Sequence, residues 1–398
     1  MNSSTPESKA LSLPFLSLLS GLTALGQFAT SVYLPSLPSI GRDFSASMPT
    51  VQLTLLVYLV VFAVFQLVFG PLSDRYGRKP ILYIGIILFL AGSALCFIAP
   101  TMTILILGRA LQGIGGSATI VVGRAITRDS FNGMALIQAL AIITIVFSAA
   151  PGLAPLLGGL LEVSFGWRST FIASGALATF LLGCVVVALQ ETHLQRPSTL
   201  TLRNIIALYA PLLQSARFMV YITASSFAMG GLYVFFSGGP QLFISDLGVS
   251  PAEYGVYPSF TVMGFVAGGI VARKYIEEYG AQRLTFIGIL ILLAGAAFML
   301  VFPAVGLIHK HVYNVCMFLY VAGLGVVLSL AIAEALRDFP ERAGAASAMA
   351  GFMQIMGGAM GTVLVGRLAH IHFFSVPIGM TILSACALIF FVGAARKI

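Results

Sequence analysis

Two short stretches of this chain hold residue types that can do chemistry. The first is Gly70-Pro71-Leu72-Ser73-Asp74-Arg75-Tyr76-Gly77-Arg78-Lys79-Pro80, one carboxylate among three cations. The glycines at 70 and 77 permit a tight turn and close helix approach. Asp74 can accept charge-assisted hydrogen bonds or sit at a helix N-terminus, where negative charge is favoured. The second is Gly108-Arg109-Ala110-Leu111-Gln112-Gly113-Ile114-Gly115-Gly116, a lone guanidinium inside an otherwise uncharged run. A charge at that depth costs about 3 kcal/mol on insertion scales, so it needs a cavity or a partner. Gln112 at i+3 and Gly113 at i+4 share its helix face.

Other chemistry is excluded by pattern. Cys96, Cys184, Cys316 and Cys386 stand singly in separate apolar runs, with no CxxC and no His at ligand spacing. No metal site is expected. The spans hold no HExxH, nucleotide loop or Ser–His–Asp arrangement, and His193, His309, His311, His370 and His372 fall in loops or at edges. Nothing reads as a catalytic residue.

The elements that position these residues follow from composition. Of 398 residues, 59% are hydrophobic and 9% charged, with a mean hydropathy of +1.01. A soluble protein of this size would carry about 25% charged residues, so the solvent is largely lipid. Twelve uncharged runs are long enough to cross a bilayer, at about 12–34, 51–70, 80–99, 103–124, 135–161, 169–190, 217–237, 253–272, 284–303, 312–333, 344–366 and 374–394. Backbone groups must be paired in lipid, so each run is predicted to be a helix. The fold class is an all-α membrane protein. The N-terminal run is too long for a signal-peptide core and is read as the first span.

The Lys and Arg distribution sets orientation. Sixteen of the 21 fall on the side of the 70–80 stretch, four on the other (Arg42, Arg168, Lys310, Arg367), and Arg109 lies within a span. That bias puts both termini in the cytoplasm and explains the net charge of +8 without nucleic acid. A polar segment, 191–216, carries Pro197 and Pro211 and separates an N-terminal six-helix unit (1–190) from a C-terminal one (217–398). Two equal helical halves suggest a transporter built from repeats. Glu277-Glu278-Tyr279-Gly280 echoes Asp74-Arg75-Tyr76-Gly77 in the equivalent place.

The 70–80 stretch resembles the signature of the major facilitator superfamily, with Gly70, Leu72, Asp74, Arg75, Gly77, Arg78 and Lys79 all matching. By that resemblance it is a cytoplasmic latch between two pseudo-symmetric bundles, with Asp74 meeting the start of span eleven near Gly344. Arg109 and Gln112 match the superfamily's span-four motif, which implies a role in proton coupling or substrate contact. Pro151-Gly152-Leu153-Ala154-Pro155-Leu156-Leu157-Gly158-Gly159 resembles the span-five antiporter motif, with Ala154 where glycine is usual. Its prolines bend the helix, and its glycines admit a packing partner, expected to be span eight at Gly264, Gly268 and Gly269. Tyr33-Leu34-Pro35-Ser36-Leu37-Pro38 and Gly166-Trp167-Arg168 are similar to drug:proton antiporters of the bicyclomycin and chloramphenicol resistance type. Those relatives carry an aspartate where this chain has Ser31. No acid lies at mid-depth, since Glu162, Glu253 and Glu334 fall at span ends.

The expectation is a multidrug efflux transporter of the bacterial inner membrane, using the proton gradient and no other cofactor. Its partners are a small-molecule substrate and the bilayer, with no nucleic acid and no obligate protein partner; it would act as a monomer. The expected central lining includes Gln27, Ser31, Tyr58, Gln66, Gln138, Tyr233, Phe236 and Gln354. Two alternatives stay open: an exporter of one endogenous metabolite or siderophore, and a proton-independent facilitator.

Overall fold

The computed structural model describes residues 12–193 and 202–394. Lys9, Arg196, Arg396 and Lys397, four of the charges that set the expected orientation, lie outside them. Every regular element among the described residues is helical. α1 (Leu13–Ser31) passes through a 3-10 turn (Leu34–Ser36) into the short α2 (Leu37–Asp43). α3 (Met48–Tyr76), α4 (Arg78–Ile98), α5 (Met102–Ser130), α6 (Gly133–Phe165) and α7 (Arg168–Ala188) follow. Next come α8 (Leu202–Gln214), α9 (Ala216–Pro240) with a π-helical extension (Gln241–Asp246), α10 (Pro251–Ala304), α11 (Lys310–Arg337), α12 (Ala343–Leu368) and α13 (Ser375–Ala394).

Ten helical stretches among the described residues are long and apolar enough to cross a membrane. Two of them, of 54 and 55 residues, are long enough to cross twice. α10 is 54 residues long and breaks at Gly280 (φ 75°, ψ 158°). Unbroken, it would span about 80 Å at 1.5 Å per residue, far more than a bilayer core of about 30 Å. The stretch Pro340–Ala394 holds α12 and α13 on either side of a 3-10 turn in which His372 has φ 48°.

Several boundaries differ from those read in the sequence. The 70–80 stretch is not a loop. α3 runs on to Tyr76 and α4 begins at Arg78, so the single residue Gly77 (φ 101°, ψ 155°) makes the connection. Helical hydrogen bonding continues past the apolar run because the charged ends find partners beside them. Gly77 and Gly280 hold the same backbone conformation at the two places paired by the sequence echo. The 191–216 segment contains α8, whose Tyr209 and Leu212 are buried with Phe218 and Ile222 of α9 and Met349 of α12.

α5 packs on α4 and α3, and α1 on α5 and α6. α10 packs on α11, and α9 on α12 and α13. Across these two groups α3 meets α12 and α6 meets α10. Large apolar residues such as Ile145, Leu160, Phe180, Val187, Ile270 and Ile389 point outward. Lipid tails solvate such side chains as well as a core does, so helices associate through small residues and close packing. Gly113 shows this: a Cβ there would lie 2.7 Å from the Tyr58 carbonyl oxygen, and its absence lets α5 touch the backbone of α3.

Candidate functional site

That contact delivers Tyr58 to Arg109. Arg109 is fully buried, and its guanidinium lies between two aromatic faces, 4.2 Å from the Tyr33 ring centroid and 4.2 Å from that of Tyr58. Its Nη1 donates to Gln112 Oε1 (2.8 Å) and to the Ala29 carbonyl (3.3 Å). Gln112 Nε2 donates to Ser93 Oγ (2.8 Å), and Ser93 Oγ donates to the Phe89 carbonyl. The Tyr58 hydroxyl donates to the Gly26 carbonyl at 2.8 Å. Every group touching the cation is neutral, and no ion pair among the described residues includes Arg109. The Nε and Nη2 atoms of Arg109 and the Oγ of Ser31 are buried without hydrogen-bond partners. Desolvated cation–π contacts are worth about 2 kcal/mol each, which offsets much of the cost of burying the charge. The site therefore keeps a positive potential in a dry interior, with unused donors ready for an electron-rich ligand or a hydroxyl.

The other expected lining residues divide. Tyr233 is buried, and its hydroxyl lies beside Gln27 and faces the same centre as Tyr33 and Tyr58. Phe236 packs edge-on against its ring at 5.6 Å. Gln354 donates to Ser225 Oγ at 3.2 Å, between α12 and α9. Gln138 is exposed on α6. Sequence reading missed Gln52, which is buried and donates to the Ser237 carbonyl across α3 and α9 at 3.0 Å. It also missed Tyr33 as the second wall around Arg109, and Ser93 as the support of Gln112. A tyrosine two residues after Ser31, just beyond the end of α1, was the available signal for the former.

A second constellation lies at the end of the bundle that holds Asp74, here termed the basic end. Arg78 donates through Nη1 to Asp74 and to Ser73 Oγ (2.8 Å), and through Nε to Asp129 Oδ2 (2.9 Å). The backbone N–H groups of Arg78 and Lys79 donate to the Glu191 carboxylate at 2.9 and 3.0 Å, so Glu191 caps the start of α4. Lys79 Nζ donates to the Leu189 carbonyl, and Arg75 lies over the Tyr76 ring. Partial burial alone would raise the Glu191 pKa, but N–H donors from His193, Arg78, Lys79 and Thr192 hold it below the usual range. These bonds tie together α3, α4, α5 and the segment after α7. The side chain beside Gly344 is Arg128, while Asp74 pairs with Arg78. Gly70 stands 3.8 Å from Val121 by the position of an added Cβ.

At the opposite end α6 meets α10 through backbone. Pro151 and Pro155 lie inside α6. A Cβ on Gly158 would stand 1.8 Å from the Val32 carbonyl oxygen, one on Gly159 2.2 Å from that of Pro251, and one on Gly255 2.4 Å from that of Pro155. Ser259 Oγ donates to the Gly152 carbonyl at 2.9 Å. The partner of span five is thus α10, but at Pro251–Val262; Gly264 and Gly268, the expected contact, pack instead on the backbone of Phe318 and Ala322 of α11. The edge acids have local partners: Glu162 accepts from Ser39, Glu253 pairs with Lys310, and Glu334 lies near Arg337.

Residues 19–362 match the family model described as Major Facilitator Superfamily. An uncharacterized MFS-type transporter, YdgK of Bacillus subtilis (strain 168), is 31% identical over 364 residues, covering 89% of each chain. A bicyclomycin resistance protein homolog of Haemophilus influenzae is 29% identical, again covering 89% of each. Multidrug resistance protein D of Escherichia coli (strain K12) is 26% identical over 85% of each. Among solved structures, a bacterial homolog of the human lysosomal transporter Spinster, inward-facing and unoccupied, superposes with a TM-score of 0.73 at 17% identity, covering 96% of this chain and 95% of that one.

Proposed function

Because this chain belongs to the Major Facilitator Superfamily, a family of transporters and not of enzymes, we propose that it is a drug-efflux carrier. Its cargo is a small amphipathic compound, moved outward by alternating access in exchange for protons. The Gly280 break and the turn between α12 and α13 divide the ten stretches into twelve spans, read as two six-helix halves. The basic end, with both termini, faces the cytoplasm of a bacterial inner membrane. The names of the bicyclomycin and multidrug resistance relatives support the cargo class.

The observation that carries the reading is Arg109, buried between Tyr33 and Tyr58 with two donors unused and no counter-ion. Such a cation disfavours an incoming proton, and cargo held by its unused donors would fill the same buried centre, so cargo and proton would compete by occupancy of one site. Arg75, Asp74 and the glycines at 70 and 77 would set how the basic end closes. The bend at Pro151 and Pro155 would set how the far end opens.

The test is proton release. Purified protein in weakly buffered detergent is challenged with phenicols, fluoroquinolones, lipophilic cations and siderophore-like anions. Acidification that is lost in Arg109→Ala supports antiport. Binding without acidification defeats it and leaves a proton-independent facilitator. That second reading has its own support in Ser31, a buried hydroxyl where related antiporters carry the acid. A response to one compound alone would select a dedicated metabolite exporter.

A further inference from the structure

A cavity of about 280 Å³ opens at the basic end between α3, α5, α8 and the start of α12. Its charges do not balance locally. Four arginines (Arg78, Arg124, Arg128 and Arg342) line it against three carboxylates (Asp74, Asp129 and Glu341), and the bonds of Asp74 and Asp129 are directed to Arg78, with Thr192 also donating to Asp129. Arg124 and Arg128 line the same wall one turn apart on α5, where like charges repel. Neither takes part in an ion pair among the described residues.

The facing wall is positive as well. α12 is 26 residues long, its N-cap is Arg342, no side chain caps it, and its first turn holds no acid. Its leading N–H groups and its dipole therefore face the cavity uncompensated. Arg128 Nη1 nevertheless stands beside that first turn, 2.7 Å from where a Cβ on Gly344 would be. A cation held against the positive end of a helix calls for an anion between them. One further observation points to a ligand. Gln66 lines this cavity at 4% exposure, and its Oε1 has no hydrogen-bond partner. The O–H of a monohydrogen phosphate, or a hydroxyl of a glycerol headgroup, supplies the donor that this acceptor lacks. The one carboxylate on the rim that Arg78 does not engage, Glu341, is exposed to solvent.

We propose that this cavity is an anion site that takes a phosphate group, held by Arg124, Arg128 and the first turn of α12. Two arginine forks match the oxygens of a phosphate, and a helix N-terminus completes such sites. The phosphate belongs either to an anionic lipid headgroup at the membrane surface or to a soluble phosphate ester. α5 and α12 come from different halves of the chain, so a bound phosphate ties the halves together at the basic end. This inference stands independently of the cargo.

The test uses the full chain in detergent. Thermal unfolding is followed against sodium phosphate, with sodium chloride at matched ionic strength, and against phosphatidylglycerol, with diacylglycerol as the uncharged control. Bound lipid is counted by native mass spectrometry. The expected result is a raised midpoint with an apparent Kd that weakens roughly tenfold or more in Arg128→Gln and in Arg124→Gln, while Arg337→Gln, outside the cavity, leaves it unchanged. An effect of phosphatidylglycerol alone assigns the phosphate to lipid, and an effect of phosphate alone assigns it to a soluble ester. If Arg128→Gln fails to fold, Arg128→Lys and the surface variant Arg342→Gln carry the same comparison. No rise over chloride and diacylglycerol, or undiminished affinity in the Arg124→Gln/Arg128→Gln pair, overturns the proposal.

Discussion

Gly158→Ala is a one-carbon wedge whose effect can be worked from the coordinates. The new Cβ would stand 1.8 Å from the Val32 carbonyl oxygen and 2.7 Å from its carbon. Ordinary contact needs at least about 3.2 Å, so roughly 1.4 Å of separation must open between α6 and the end of α1. Val32 cannot yield by a rotamer change, because the clash is with backbone, and its N–H is bonded to Phe28. Overpacking of this kind costs about 1–3 kcal/mol. Alanine also gains about 1 kcal/mol over glycine in any helix, but that gain is the same whichever end is open. A penalty confined to the state with the far end closed shifts the equilibrium toward opening by about 5- to 150-fold. Spin labels at Arg42→Cys and Ser245→Cys, with the native cysteines replaced by serine, report the far-end separation by pulsed electron resonance. Gly183→Ala is the control, since a Cβ there meets nothing within 4 Å. An unchanged distance distribution in well-folded Gly158→Ala, or an equal shift in Gly183→Ala, would refute the idea that this seam holds the far end closed.

Other variants probe the remaining parts. Arg109→Lys keeps the charge but loses the plane that lies between Tyr33 and Tyr58, so transport should fall at least tenfold with folding retained; full turnover in a flux assay removes the planar requirement. Asp74→Asn should cost under about 1 kcal/mol in stability, because Asp74 is half exposed and Arg78 keeps Asp129, yet should slow turnover. Normal flux sinks the latch role. The depressed pKa of Glu191 makes its contribution fully present above the unfolded carboxyl value of about 4.3 and lost as pH falls through the folded value. Glu191→Gln should therefore be less stable than the parent at pH 7, with the gap closing at acid pH; a pH-independent gap contradicts the capping role. Gly77→Ala forces a side chain to φ 101° and should cost about 1–3 kcal/mol, read as a lowered thermal midpoint.

Spans and charge bias were legible because hydropathy and Lys/Arg placement are local properties of sequence. The end of α3 was not, because Asp74 and Arg75 look like loop residues until Arg78, Asp129 and Glu191 are seen to engage that corner. Those partners lie 51 and 113 residues from Arg78, and no local pattern announces the pairing. Arg109 was legible as a buried cation. Its confinement by Tyr33 was not, since that depends on the turn that follows α1. α8 was masked by the polar composition around Pro197 and by Pro211 within it, and its burial is decided by α9 and α12.

The echo between Gly77 and Gly280 preserves an angle and discards the charges around it. Where Arg78 and Lys79 follow the first glycine, Ala281 and Gln282 follow the second. No ion pair among the described residues includes Arg273, Lys274, Glu277, Glu278 or Arg283, and most of 273–283 is exposed. The two turns thus differ in durability. The first is stapled by charge to two neighbouring segments, α5 and the one after α7, while the second is held by apolar packing of Tyr275, Ile276 and Ala281 beside Val326 and Leu330 of α11. Fraying and proteolytic nicking should begin at the second turn, and amide exchange there should run ahead of exchange around Gly77. An ion pair introduced between Ala281 and α11 would lengthen the working life of the folded chain more than any change at the turn already tied down by charge.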